Sequence, residues 1–590
     1  MKPWGRLSSL LALTIFVAAL AVYLATLAPT LTWAHDGADG GDLITATWVL
    51  GVPHPPGYPT YVLLGRLFLL WPLGDPAYRL NLMSAVAAAG AVTLVYLIAI
   101  EITAANWRKH VLAATAGSAA LTFAFSPLFW SQAVIAEVYA LNALFAALVI
   151  YLLLRWQRGA GWGLPLAALA LGLGLGNHLT LAFVGLIAVA GIGYSLSRWK
   201  FESSDGFCGL CRHGKWGPLF CSAWTPFGRK SRPSTVGFGN PTGTIAQTTE
   251  NGRIRKFVLL GGLRPPRNAG HRPALSSIFH IPSRACFHRH PMATVASRSM
   301  LVVACFLVGL TVYLYLPWSA AQAPPVNWGD PRTLDRFWWV VSGALYRGYL
   351  FTVPLEHIPA RLAATVSLYI QQFGPWGAAI SLLGLWWLWG QRRALAGASL
   401  TGVALYTVYA MGYNTPTSYV YLIPAFLAAA VWLAAGLQVL AHRWPRLWPL
   451  ALLLPALALV LNVAGADLHA DYAARDYAQA VWAAVEPQAI IVTGADEHTF
   501  ALWYAQLVAG QRPDVVIVDR DLLAYDWHRA GLARRYPDLN VRDAQDEAML
   551  ITAHIAQRPI YLTDRPGPAG YELAPAGPIW RVESPPEVRR

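Results

Sequence analysis

At 590 residues, 56% hydrophobic and only 13% charged, the chain is too apolar for a soluble globule and reads as an integral membrane protein. Its formal charge of +14 is local: residues 198–298 hold sixteen Lys or Arg against three acids, which leaves the remainder nearly neutral. The basic balance therefore gives no case for nucleic-acid binding by the protein as a whole.

A membrane-crossing helix needs about 20 mostly apolar residues. Runs of that kind lie near 7–29, 80–101, 111–130, 134–154, 163–177, 179–197, 299–317, 365–389, 395–412, 418–440 and 446–464, which predicts eleven spans. Lys2 and Arg6 precede the first run and no small-x-small cleavage site follows it closely, so it reads as an uncleaved anchor. The pair within 163–197 is short and fits a re-entrant hairpin equally well. Every second loop is basic: Arg108/Lys109, Arg155/Arg158, Arg198/Lys200, Arg392/Arg393 and Arg443/Arg446. Positive loops stay in the cytoplasm. The reading is a multi-pass protein of the cell membrane, with a cytoplasmic N-terminus and an extracytoplasmic tail from about 467.

Just past the anchor, Thr32 to Phe68 reads TWAHDGADGGDLITATWVLGVPHPPGYPTYVLLGRLF. Asp36, Asp39, Asp42, His35 and His54 crowd into this Gly- and Pro-broken loop. Asp39 and Asp42, three apart, share one face if the stretch is helical. Neighbouring acids at a low-dielectric boundary raise one another's pKa, which suits one of them to general-base work. The plainer alternative is a solvated acidic loop with helix-capping aspartates. In His54-Pro-Pro-Gly-Tyr-Pro the prolines pin the backbone and Gly57 permits a sharp turn, presenting His54 rigidly. The alternative is an ordinary interfacial turn, with Tyr58 and Tyr61 as belt aromatics.

Further along, Glu137 stands just inside an outward span end, where an unpaired acid is costly. It needs a partner such as His178, a ligand, or a polar contact between helices. Asn177 and His178 lie between two Gly-rich spans, where packing is as good a reason for them as chemistry. Asn327 and Asp330 fall in PPVNWGDP, and Arg347 in Tyr-Arg-Gly-Tyr is placed to clamp a phosphate or to snorkel to water. The span centres hold essentially no acid or base, which argues against an ion-coupled pump.

Segment 198–298 is rich in Arg, Gly, Pro and Ser, lacks periodicity, and holds four of the five Cys. Its Cys208-x-x-Cys211, His213, Cys221 and Cys286-x-His288-x-His290 match no standard zinc spacing. It reads as a disordered basic insertion on the cytoplasmic side against anionic lipid, or as out-of-frame sequence. The chain divides into a first membrane module over 1–197, this insertion, a second module over 299–466, and a tail over 467–590. The tail alternates strand-like 489–493, helix-like 497–509, strand-like 514–519, helix-like 521–535 and strand-like 559–563, which predicts a small parallel or mixed sheet. Asp496-Glu497-His498 could bind a ligand, but acids in a first helical turn usually just favour the helix start.

Taken together, Thr32–Phe68, FWSQAVIAEVYALNALF, GLGLGNHLT, YLYLPWSAAQAPPVNWGDP and GYNTPTSYVYLIPAF resemble the protein O-mannosyltransferase-like membrane proteins, of the GT-C class of polytopic glycosyltransferases. The resemblance covers nearly all of the chain except 198–298. It implies an α-helical polytopic fold and transfer of a sugar from a polyprenyl-phosphate donor to a protein or glycan acceptor on the outer face, with membrane lipid as a further partner. It also implies a catalytic carboxylate in the first outward loop, where the family pattern of Asp, any residue, Gly and usually Glu falls on Asp39, Gly41 and Asp42. Here the last acid is Asp, and Asp36 is additional, so which of the three takes the proton stays open.

The expectation is therefore an inverting transfer with Asp39 or Asp42 as base. Asp36, His54, Glu137, Asn177, His178, Asn327, Asp330 and Arg347 are the substrate-binding candidates; no residue is assigned as a metal ligand, although clustered carboxylates can hold a divalent cation. The rival readings are a multi-span transporter or lipid flippase, and a non-catalytic cell-surface assembly protein.

Overall fold

The computed structural model describes residues 3–103, 108–192, 292–565, 567 and 569–583. The basic segment lies outside these apart from its last residues, which already belong to a helix.

In chain order, α1 (Pro3–Ala25) is the anchor, and the first loop carries two short helices, α2 (Gly40–Val49) and α3 (Pro59–Leu69). There follow α4 (Pro76–Thr103), α5 (Lys109–Ala124), α6 (Pro127–Ala133), α7 (Val138–Gln157) and α8 (Gly163–Leu175). The apolar helix α9 spans Leu179–Ile192. After the undescribed stretch come α10 (Met292–Leu310), α11 (Tyr315–Ala321), α12 (Leu334–Val341), α13 (Ile358–Gln391), α14 (Arg393–Gly412), α15 (Ile423–Arg443) and α16 (Leu453–Ala466).

Among the described residues seven helices are long and apolar enough to cross a membrane, or eight when α5 and α6 count as one span bent by 68°. The expected eleven are not reached, because Gly and Pro cut the apolar runs. Ser126 stands before Pro127 with ψ 143, off the helical region that a following proline disfavours. At Gly374, φ 68, and Pro375 the helix α13 is broken in the middle of the predicted 365–389 span. Helices α8 and α9 remain short, as the hairpin alternative for that pair allows.

Where helices cross within lipid there is little hydrophobic drive between them, so small residues must let the backbones approach. A Cβ on Gly384 of α13 would lie 1.8 Å from the Trp432 carbonyl oxygen of α15, and one on Gly436 would lie 2.0 Å from that of Ile380. Away from the site, Glu101 at the end of α4 pairs with Arg155 at 3.0 Å and Arg158 at 2.8 Å, stapling the ends of α4 and α7.

The tail folds as the predicted α/β unit, built of α17 (Ala473–Ala484), β1 (Ile490–Thr493), α18 (Asp496–Trp503), β2 (Val516–Asp519), α19 (Asp526–Arg535), α20 (Glu547–His554), β3 (Ile560–Leu562), β4 (Glu572–Ala576) and β5 (Ile579–Glu583). The sheet order is β2-β1-β3-β5-β4, with β1 parallel to β2 and β3, and β5 antiparallel to β3 and β4. All four residues of β1 and of β2 are buried, as in strands covered on both faces. The β4–β5 hairpin was not foreseen: Pro575 sits exposed in β4, where only an edge strand tolerates a residue without an N–H.

One face of this sheet shares its core with the membrane module. Ala46 of α2, Val326 and Trp328 pack in one cluster with Val481, Ile491, Phe500 and Ile517. The approach is close enough that a Cβ on Gly41 would lie 2.8 Å from the backbone carbon and oxygen of Phe500.

Candidate active site

The acidic loop enters α2 through a 3-10 turn in which His35 and Asp36 both take positive φ, 60° and 61°. Side chains rarely adopt that conformation without surrounding structure to hold it. The turn separates the two carboxylates that spacing would have paired. The Asp42 side chain is wholly buried, whereas that of Asp39 is 44% exposed and faces a chamber of about 520 Å³.

Asp42 is saturated with donors. Its Oδ2 accepts from the backbone N–H of His54 at 2.8 Å and from His54 Nδ1 at 2.8 Å, and its Oδ1 accepts from Trp328 Nε1 at 3.1 Å. A carboxylate on Nδ1 fixes the proton there and turns Nε2 outward. Nε2 lies 3.2 Å from the Tyr58 hydroxyl and 3.7 Å from Asp39 Oδ2. The turn that aims the ring has a cis Pro55–Pro56 bond, Gly57 at φ 86 and Tyr58 at φ 38. Burial alone would lower the His54 pKa. The charge of Asp39, the hydrogen bond that His54 donates to Asp42 and the charges of Asp42 and Glu137 outweigh it and bring it to about 9. At neutral pH His54 is an imidazolium with one N–H toward the chamber.

Desolvation pushes the Asp39 carboxyl up, with His54 opposing and Asp42 adding. Glu137, 3% exposed, caps α7 by accepting from Val138 N at 3.2 Å, and burial holds its carboxyl well above the usual range, with Asp39 adding. Its partner in the wall is the Val138 N–H rather than His178. His178 accepts from Thr180 N, contacts Thr180 Oγ1 at 2.8 Å, and is kept neutral by burial, its pKa lowered to about 4. Arg347 is exposed and donates to Ser342 Oγ at 2.7 Å across the chamber lining.

The tail supplies the chamber's remaining acids. α18 starts at the carboxyl end of β1, the end of parallel strands where ligand crevices form, and Asp496 and Glu497 there join the lining. Desolvation by the surrounding protein, then the charges of Asp39 and Asp519, raise the Asp496 pKa to about 6, although the residue keeps exposed surface. The junction is held by Trp33, whose Nε1 donates to the Glu497 carbonyl at 3.2 Å while its ring meets Tyr477 and His498.

The structure thus brings Asp36, Asp39, His54, Glu137, His178 and Arg347 to one chamber, with Asp36 accepting from the Tyr419 hydroxyl. Asp42 stands behind His54. Asn177 is wholly buried, donating to the Val138 carbonyl at 3.0 Å. Asn327 and Asp330 lie outside the chamber lining: Asn327 Nδ2 donates to Asp330 Oδ1 at 3.1 Å, and Asp330 Oδ2 takes Arg332 at 2.5 Å and Arg336 at 3.1 Å. These pairs lock the loop whose Asn327 bridges Val52 and whose Trp328 reaches Asp42.

Sequence reasoning missed the part of Trp328 behind Asp42 and the place of Asp496 in the chamber lining. Only Asp496 carried a signal, as an acid opening a helix after a strand. Among the described residues no three His, Cys, Asp or Glu converge to hold a metal ion, since the loop's carboxylates point to different sides.

Fold and site define a multi-pass α-helical membrane protein with a small C-terminal α/β domain, the two enclosing an acidic chamber that holds one imidazolium. Residues 39–203 match the model of the protein O-mannosyl-transferase TMEM260 N-terminal domain, and residues 474–541 match TMEM260-associated domain 2. The chain is 36% identical over 156 residues to protein O-mannosyl-transferase TMEM260 of Mus musculus, a match covering 26% of this chain and 21% of that one. It is 29% identical over 141 residues to the Dictyostelium discoideum protein of the same name, covering 23% and 16%. The matched stretch thus spans about a fifth of these curated relatives. Among solved structures, ArnT from Cupriavidus metallidurans bound to undecaprenyl phosphate aligns over 99% of this chain and 98% of its own, with a TM-score of 0.49 and 11% identity. An Archaeoglobus fulgidus oligosaccharyltransferase aligns over 93% and 68%, with a TM-score of 0.43 and 13% identity. The likeness to O-mannosyltransferase-like membrane proteins read from the first loop is found again in both the family models and the curated relatives.

Proposed function

We propose that the chain is a membrane glycosyltransferase that moves a sugar, mannose by its relatives' name, from a polyprenyl-phosphate donor to an acceptor hydroxyl on the outer face. The observation that carries this reading is the division of labour in the first loop: an accessible Asp39 beside a buried Asp42–His54 pair that fixes a cation at the chamber wall.

In that reading Asp39 takes the acceptor's proton as its oxygen attacks the anomeric carbon from the face opposite the phosphate. The bond to the phosphate oxygen breaks with inversion, and the lipid phosphate leaves. His54 and Arg347 offer N–H donors to the charge that develops on it, and a preformed donor in a water-poor site is worth more than one in water. Asp42 does not touch substrate; it positions His54. An apolar groove of about 170 Å³ between α7, α9, α14 and α15 suits an isoprenoid chain. Its wall residue Tyr406 donates to the carbonyl of Thr180, a residue that also lines the chamber. The alternating basic loops support a cytoplasmic N-terminus and an outward chamber in the cell membrane.

The test is transfer by the reconstituted protein from radiolabelled polyprenyl-phosphate sugars to candidate acceptors. Asp39→Asn should lose about 10²–10⁴-fold in rate with little change in melting. Transfer at the wild-type rate in that variant would remove the assigned base.

A further inference from the structure

A second pocket, of about 300 Å³, opens on the other side of Trp328, between the 323–328 loop and α19. That is the lower end of the range for small-ligand sites. Trp328, Trp503 and Trp527 line it, at 4%, 9% and 9% exposure, and give it flat aromatic walls. Two buried polar atoms of its lining residues have no hydrogen-bond partner, His528 Nε2 and Asn327 Oδ1. Unpaired buried polar groups in a concave site are what a hydroxyl-bearing ligand satisfies. Burial first, and Arg529 second, lower the His528 pKa to about 3, so this ring is neutral and has one donor and one acceptor nitrogen. At the rim stand Arg534 and Arg535, both exposed, and neither pairs with a carboxylate among the described residues.

We propose that this pocket is a second saccharide site, which takes one hexose ring against its indole walls and the ring's anionic substituent at Arg534 and Arg535. Aromatic faces bind the apolar C–H face of a sugar, the unpaired atoms meet its hydroxyls, and the two guanidinium groups meet a phosphate or carboxylate. The site lies apart from Asp39 and does not depend on what the chamber does. Trp328 of this pocket also donates to Asp42, so a ligand here abuts the indole that is bonded to the residue holding His54.

The experiment is calorimetric titration of the purified full chain in detergent with mannose 6-phosphate, mannose and inorganic phosphate. The expected result is that the sugar phosphate binds at least tenfold tighter than either part alone. The Arg534→Ala/Arg535→Ala double variant brings it down to the affinity of mannose, Trp527→Ala weakens both sugars by tenfold or more, and Arg347→Ala, whatever it does in the chamber, leaves the affinity for mannose 6-phosphate within twofold of wild type. Because the arginine pair is exposed, its variant decides the question even if Trp527→Ala fails to fold. Sugar-phosphate binding that survives the arginine pair, that disappears with Arg347→Ala, or that is absent altogether overturns the proposal; the second of these would place the ligand in the chamber and leave the transferase reading standing.

Discussion

Replacing Asp42 by Asn tests the pair on which the chamber is built. The Asp42 side chain is fully buried and that of His54 is 5% exposed, so solvent screens neither. The His54 pKa stands at about 9 against an ordinary 6.5, and at about 1.4 kcal/mol per unit that preference is worth on the order of 3 kcal/mol. A raised folded-state pKa adds stability in full below about 6.5, and the contribution fades as pH climbs through about 9. At pH 6, Asp42→Asn leaves an imidazolium without its buried counter-charge, a loss of about 3–5 kcal/mol. At pH 9.5 the ring is mostly neutral in both proteins. The penalty that remains is an amide N–H₂ facing one of the three donors that Asp42 accepts, about 1–3 kcal/mol. Denaturant unfolding of the purified protein in detergent at the two pH values measures the difference. An equal loss of stability at pH 6 and pH 9.5 would refute the claim that Asp42 holds a charged His54.

Arg347→Ala should raise KM for the lipid-linked donor by about 10–100-fold, the equivalent of one charge-assisted phosphate contact, with a smaller change in kcat; steady-state kinetics over donor concentration checks this. Gly41→Ala should destabilise the protein by about 1–3 kcal/mol or more through overpacking against the Phe500 backbone, and a protease should then cut the tail faster than in wild type. Asp496→Asn should melt with wild type at pH 4 but above it at pH 7. A carboxyl whose folded pKa is raised to about 6 costs stability as pH rises from about 4 to 6, and exposure of this side chain limits the gain to about 1 kcal/mol.

Much of this was legible in the residues. Apolar runs gave the helical membrane class, and the alternation of β-branched strands with helical stretches gave the tail, since these are local periodicities. The first loop announced itself by packing acids and imidazoles among Gly and Pro. The roles of Asp39 and Asp42 were not legible, because their spacing is compatible with one helical face until the turn at His35 and Asp36 is known. Nor was the part played by Trp328 or Asp496. Each reaches the loop from hundreds of residues away, and no local pattern marks an indole that donates to a distant carboxylate. The span count among the described residues stops at seven or eight for a related reason: apolar composition continues across Gly374 and Ser126, where the backbone does not.

The seat of Phe500 against Gly41 bears on biogenesis. The acidic loop is translated well before the surface that braces it, which follows more than four hundred residues later. A chain stopped before Phe500 is translated can therefore insert its first helices and still lack the surface that seats Gly41.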